Sequence, residues 1–419
     1  MDAIRLQIIE RVIFVKPVIA QERIPILDIA RGVAILGILL VNMAFYSNSL
    51  QAIQFQIELW PDFWNKAANK FLEIFVNGKF IAVFSFLFGY GMIVLKDRTV
   101  TKGRRFVPLY LRRLLALFLF GWIHGWFIWF GDILLHYALL GFVLLLFHKC
   151  KPRTLLVWAV LLILLIPVLL LATGAEGTGT PQLSPEFKQY VDQMIERDQM
   201  IYGTGTYGEI QKQRVWDWNI SLGNQFLFYP QLLGLFLLGA SFAKFRLLHD
   251  VAVYHRVWIR ICLWSGAIGL VSTLLPIGLE QVGAHSGLIN QLNVIRHLIG
   301  SPLLGLFYIA ILALLVRKQA WERALRPLAN VGRMAFTNYI MQSVLCTLIF
   351  YSYGLGWYGK LNVLEGMLLS AAIFIGQMVI SALWLRIFQM GPLEWIWRML
   401  TYLSISPIRK KRSGAELSG

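Results

Sequence analysis

The sequence predicts an all-α fold, a polytopic helical membrane protein of about ten transmembrane helices with both termini cytoplasmic. Three observations predict it. The first is composition. Of 419 residues, 58% are hydrophobic and 15% charged, where an ordinary soluble domain is about 25% charged. Mean hydropathy is +0.63. A soluble chain of this size must face water with more polar surface than that, so a soluble enzyme, a disordered protein and a coiled coil are excluded. The second observation is a series of apolar runs of roughly 20 residues, each long enough to cross a bilayer. The third is the placement of charge. The 39 Lys and Arg outnumber 22 Asp and Glu, for a net +17, and the basic residues gather on alternate connecting segments.

The first run, 27–47, follows an N-terminal extension, 1–24. In that extension Ile4, Ile8, Ile9, Val12 and Ile13 are spaced for a helix lying on the membrane surface, and an irregular lead fits equally well. Glu10, Lys16 and Glu22 interrupt it too often for a cleaved signal peptide. The second run covers 71–95. Residues 107–147 form one apolar stretch about twice a span in length, and the polar turn Gly131-Asp132 divides it into 107–127 and 130–147. Runs at 154–173, 224–243, 258–278, 297–316, 332–353 and 365–387 complete a membrane domain over 25–401. The largest outer loop, about 174–223, opens with Gly174, Gly177, Gly179 and Pro181, then becomes polar and helical from Pro185 to Gln199. It is too short for a catalytic domain and suits a lid over an outward cavity. Residues 402–419 form a basic tail whose Arg409-Lys410-Lys411-Arg412 suits anionic lipid or simply anchors the topology.

With both ends inside, the inner segments 1–25, 96–113, 148–153, 244–260, 317–333 and 386–419 hold 29 of the 39 basic residues, and the outer segments hold nine. The excess charge therefore records orientation in the lipid bilayer and calls for no nucleic-acid partner. The three cysteines, Cys150, Cys262 and Cys346, show no CxxC pairing, so neither a disulfide framework nor a metal site is expected. No phosphate-binding loop, dinucleotide fingerprint, zinc-protease helix or nucleophile elbow is present in a credible context.

Ionisable groups inside spans are costly, so each is a functional candidate. Asp28 and Arg31 are three apart on the first span and share a helix face, either as a helix-start ion pair or as part of a site. Asn42 lies about 16 Å further along the axis. Gly32 and Gly37 allow a neighbouring helix close. The strongest constellation is His124, seven residues before Gly131, with Asp132 at the turn and His136 just after it. Both imidazoles fall near the outer end of an antiparallel hairpin, and Asp132 is placed to orient one, the arrangement of a general base with its carboxylate. The alternative is helix-packing hydrogen bonds, and for His136 a place among lipid headgroups. Arg296 and His297, beside Asn290, Gln291 and Asn293, offer donors for an anionic or sugar-like ligand. Asn338 and Gln342, four apart, either line a cavity or join helices. Glu394 and Arg398 read as an i,i+4 pair on a short interfacial helix.

The stretches LDIARGVAILGILLVNM, KFIAVFSFLFGYGM, FGWIHGWFIWFGDILL, NVGRMAFTNYIMQSVLCTLIFYSYGLG and GPLEWIWRMLT run in order from residue 27 to 401. They closely resemble the YeiB family of bacterial inner-membrane proteins, a family of unknown biochemistry. That family is distantly similar to the transmembrane acyltransferases, which include heparan-glucosaminide N-acetyltransferase. Arg23, Asp28, Arg31-Gly32 and Asn42 carry the similarity. It implies transfer of an acyl group from a cytoplasmic donor to an acceptor across the membrane. The sequence departs from the acyltransferase pattern in two places. Residues 48–70 contain no His where the acetyltransferases place a catalytic one. Arg31 is followed eleven positions on by Asn42, where another branch has His. Asn is no base, so His124 with Asp132 would have to take that role.

Two functions follow as expectations. One is an acyltransferase-like enzyme with no resident cofactor. Its coenzyme A-like donor approaches the seven basic residues of segment 96–113, and its acceptor is an envelope glycan, lipid or small molecule. The catalytic candidates are His124, Asp132, Arg31 and Asp28, and the substrate-binding candidates are Asn42, His136, Arg296, His297, Asn338 and Gln342. The other function is a transporter or exporter of a small solute, with the Asp28–Arg31 pair and the intramembrane amides at its site.

Overall fold

A computed structural model describes residues 24–173, 184–283 and 285–410. The N-terminal extension, the glycine-rich start of the loop at 174–183, and residues 411–419 of the tail lie outside the described residues. The described chain is helical throughout. Its β pairing is one isolated bridge between Phe388 and Arg409.

The first span is α1, Pro25–Ser47, started by a proline in its first turn, where no backbone donor is lost. The short α2, Leu50–Gln54, and α3, Phe63–Phe75, lead into α4, Lys79–Thr101. Then follow α5, Phe106–Ile123, which ends in a π-turn over His124–Ile128, and α6, Leu134–Leu146. The helix α7 covers Pro152–Thr173. Two helices of the large loop come next, α8, Pro185–Thr204, and α9, Tyr207–Phe226. The remaining long helices are α10, Tyr229–Lys244, α11, His255–Gln281, and α12, Ser286–Ile295, which runs through a π-turn at Arg296–Gly300 into α13, Ser301–Val316. Short α14, Gln319–Ala324, and α15, Arg326–Arg333, precede α16, Ala335–Phe350, α17, Val363–Ile387, and α18, Pro392–Tyr402.

Seven of these helical stretches are long and apolar enough to cross a membrane, and an eighth follows if α9 and α10, bent by 66° at their junction, count as one. The predicted runs 130–147 and 332–353 form shorter apolar helices, Leu134–Leu146 and Ala335–Phe350. The run 224–243 divides at that bend, because the chain turns from the polar α9 to the apolar α10. The outward faces suit a lipid-facing surface. On α7, Val157, Leu161, Leu165 and Val168 are exposed, a row that water would not tolerate on a monomer.

Two close helix crossings hold the core. An added Cβ on Gly332 would lie 1.8 Å from the Asp28 carbonyl oxygen, and one on Gly32 would lie 2.0 Å from that of Leu328, so α1 and α15 touch backbone to backbone. Gly89 and Gly239 do the same for α4 and α10, against the carbonyls of Phe236 and Phe86. Where lipid offers no hydrophobic drive between helices, such approach maximises dispersion contact.

The described part of the large loop holds two helices, where the sequence predicts one. Predicted helical from Pro185 to Gln199, α8 continues to Thr204, and α9 begins at once with a reciprocal Thr206–Glu209 capping box. The α8 face packs Val191 and Ile195 on Ala52. On the other helix, Gln211 donates to the Trp126 carbonyl at 2.8 Å and Arg214 to that of Phe127 at 2.5 Å. These bonds satisfy carbonyls that the π-turn leaves without helical partners. The loop therefore forms a lid clamped onto the turn that carries His124.

Candidate functional site

The main cavity opens at the end of the bundle opposite the lid, away from the outward position the sequence suggested. It measures about 460 Å³, within the range of small-molecule sites. Along α4 its lining runs from Phe84 to Thr99, a rise of about 22 Å. Its walls change character with depth. The mouth carries Arg31, Arg98, Lys102, Arg104, Arg113, Arg333 and Arg398 against two carboxylates, Asp28 and Glu394. Deeper lie Ile38, Phe84, Leu87, Phe88, Leu134 and Tyr137, and Tyr339 closes the wall toward His124. Such a cavity fits an elongated molecule with an anionic head and an apolar or weakly polar arm.

Helical geometry fixes the mouth. Arg31 Nη1 is 2.8 Å from Asp28 Oδ1, with both side chains half-buried. The guanidinium of Arg113 stacks on Trp397 at 3.6 Å. Glu394 accepts from Phe336 N at 2.8 Å, Thr337 N at 3.1 Å and Thr337 Oγ1 at 2.5 Å. It thus caps α16 from another helix and satisfies orphan first-turn donors.

Beyond Tyr339 lies a buried polar relay. The Tyr339 and His124 rings sit 5.2 Å apart. His124 Nδ1 is 2.8 Å from Asp132 Oδ1, and its Nε2 is 2.8 Å from Ser343 Oγ. The other carboxylate oxygen of Asp132 accepts from Leu135 N at 2.7 Å, at the start of α6 where a negative charge is favoured. Ser343 Oγ also lies 2.7 Å from Tyr46 Oη. A carboxylate only accepts, so the imidazole donates from Nδ1, and the tautomer with its hydrogen there leaves Nε2 to accept from Ser343. Donors then point one way, from Tyr46 through Ser343 and His124 to Asp132. All four groups are buried. His124 opens a π-turn, a feature common at functional sites.

The other predicted residues sit elsewhere. His136 is buried and shares a 2.6 Å hydrogen bond with Tyr229 Oη, so it does not face headgroups. Asn42 is half-buried and is not among the cavity's described lining residues. Arg296 lies in the second π-turn and spends its charge on the Glu73 carboxylate, while its Nη2 is 3.0 Å from His297 Nε2. Glu73 therefore neutralises the charge expected to meet an anionic ligand. Asn338 donates to Ser381 Oγ and Gln342 to Gln377 Oε1, and Gln377 donates to the Asn338 carbonyl. These amides join α16 to α17 and do not line the cavity, which favours the helix-joining alternative. Sequence reasoning missed Tyr339 and Ser343 as partners of His124. Only their spacing of four on one helix face hinted at a shared role.

The chain's family relationships agree with its resemblance to the YeiB family. The family model "Protein of unknown function (DUF418)" matches residues 242–404. "Uncharacterized protein YxaH" of Bacillus subtilis (strain 168) is 42% identical over 412 residues, covering 94% of this chain and 98% of that protein. "Uncharacterized protein YeiB" of Escherichia coli (strain K12) is 30% identical over 411 residues, covering 94% and 100%. An uncharacterised 39.9 kDa protein of Bacillus acidopullulyticus is 30% identical over 94% of the chain.

Proposed function

The chain belongs to the DUF418 family of proteins of unknown function, and from that premise we propose that it is an acyltransferase-like enzyme of the bacterial cytoplasmic membrane. The donor is an acyl thioester with a phosphate-bearing head, of the coenzyme A type. Its head enters the basic mouth, which faces the cytoplasm, as the positive-inside bias requires. Its arm follows the apolar wall toward Tyr339, and His124, held by Asp132, acts as general base. The acceptor is an envelope glycan or lipid that approaches from the lid end. The observation that carries this reading is the cavity itself, cationic at one end and closed at the other by the ring that abuts the His124–Asp132 pair.

The electrostatics favour this direction of entry. Seven cations against two carboxylates concentrate an anionic ligand at the mouth, and guanidinium groups match phosphate oxygens. Inside-out membrane vesicles should therefore bind radiolabelled palmitoyl-coenzyme A above the level of vesicles lacking the protein, and right-side-out vesicles should not. Equal binding in both orientations would contradict the entry route.

A second reading, export of an anionic solute, draws on the same one-sided opening, which is also the shape of an inward-facing carrier. Solute flux in sealed proteoliposomes that Asp28→Asn abolishes and His124→Ala leaves intact would favour it over acyl transfer.

A further inference from the structure

We propose that Ser343 is a nucleophile that carries the acyl group as an ester between donor and acceptor, with His124 as its base and Asp132 as the positioning residue of that base. The proposal rests on the acyl-transfer reading for its donor but not for its chemistry. Ser343 Oγ is 2.8 Å from His124 Nε2, and His124 Nδ1 is 2.8 Å from Asp132 Oδ1. These are the two contacts a serine needs to become nucleophilic, a hydroxyl on a base whose far nitrogen is held by a carboxylate. The tautomer forced by Asp132 leaves Nε2 free to take the Ser343 proton.

A helix-joining bond would not need this arrangement. One acceptor satisfies a serine hydroxyl, and its own helix carbonyls supply one. Ser343 instead leaves its helix to reach the π-turn, and Tyr46 Oη lies 2.7 Å from its oxygen. Location completes the argument. Ser343 stands one turn, about 6 Å of rise, beyond Tyr339 on the same face of α16, so it lies just past the residue that closes the cavity. On the other side, Gln211 and Arg214 of the lid clamp the turn that holds His124. A group fixed between a cytoplasmic cavity and an outer lid passes an acyl unit across without moving the charged donor.

The steps balance. Ser343 Oγ attacks the thioester carbon, its proton passes to His124 Nε2, the C–S bond breaks, and the thiolate leaves with that proton. In the second half an acceptor hydroxyl gives its proton to His124, its oxygen bonds the acyl carbon, and the C–Oγ bond breaks as His124 returns the proton to Ser343. Displacement of the Tyr339 ring opens the path from the cavity.

The test is active-site labelling of the purified full chain in nanodiscs with an alkyl fluorophosphonate, mapped by mass spectrometry. An adduct on Ser343 is expected. It should form at least about 100-fold more slowly in His124→Ala, and faster in Tyr339→Ala, where the wall is removed. Mapping the wild-type protein does not depend on any variant folding, and Ser343→Cys retains the shape while moving reactivity to a thiol probe. No adduct on Ser343 in either wild type or Tyr339→Ala, at concentrations that label a control serine hydrolase, overturns the proposal. A parallel incubation with radiolabelled palmitoyl-coenzyme A separates the two readings. Label on Ser343 released by hydroxylamine supports both. A fluorophosphonate adduct without acyl label supports the nucleophile and contradicts the donor.

Discussion

Replacing Arg31 by Gln probes the mouth of the cavity where its charge is best defined. Arg31 pairs with Asp28 at 2.8 Å while about a third of its side chain remains open to the cavity. If the head of an anionic donor binds there, the substitution removes a charge-assisted hydrogen bond worth about 1.5–3 kcal/mol. That corresponds to roughly 10- to 150-fold in Kd. It also leaves Asp28 unpaired beside the anion, which adds repulsion in the same direction. Asp28→Asn should act oppositely. It frees Arg31 and removes a like charge, which at an effective dielectric of 20 and 7–8 Å is worth about 2 kcal/mol. The assay is calorimetric titration of protein in nanodiscs with palmitoyl-coenzyme A at two salt concentrations, since screening must weaken wild-type binding. Affinity within twofold of wild type for Arg31→Gln, together with weaker binding by Asp28→Asn, would refute the assignment of the mouth to an anion.

Four further outcomes follow from the geometry. Gly332→Leu places carbon against the Asp28 carbonyl, which is backbone and cannot yield, so the variant should fail to accumulate as folded protein. Gly376→Ala meets nothing within 4 Å and should gain up to about 1 kcal/mol in a thermal melt, by helix propensity. Burial raises the Asp198 carboxyl on the lid to about 6, although its Ser49 hydrogen bond opposes the shift. A carboxyl raised on folding favours the folded lid below its unfolded value, and that advantage is lost as pH rises through about 6. Protection from hydrogen exchange over 185–204, corrected for the intrinsic rate at each pH, should therefore be higher at pH 5 than at pH 7.5, and Asp198→Asn should flatten the difference. Arg214→Met removes donors to Phe127 and Gln211 and should raise exchange at 124–128 by an amount equivalent to about 1–3 kcal/mol.

Local geometry was legible in the sequence, and distant partners were not. Asp28 and Arg31 are three apart on a helix, and His124 and Asp132 flank one tight reversal, so spacing alone brings each pair together. Ser343 reaches His124 across 219 residues, and Glu73 reaches Arg296 across 223. No periodicity encodes such contacts. Arg296 looked available for a ligand because its partner lies on a distant helix. The second lid helix was hidden by its polarity, since Gln211, Lys212 and Arg214 give no apolar run, although the Thr206–Glu209 capping box marks its start. The cavity faced away from expectation because a lid suggests space beneath it. Here Trp218 packs its indole against Gly125 and fills that space.

Envelope composition tests the central claim most directly. Lipids and glycans from a strain lacking the gene, the same strain with the wild-type gene, and the same strain with His124→Ala should be compared by mass spectrometry, with equal membrane levels of both proteins. Acyl transfer through His124 predicts at least one acylated envelope component that is present with the wild-type gene and absent from both other strains. A profile restored equally by wild type and His124→Ala would contradict the account.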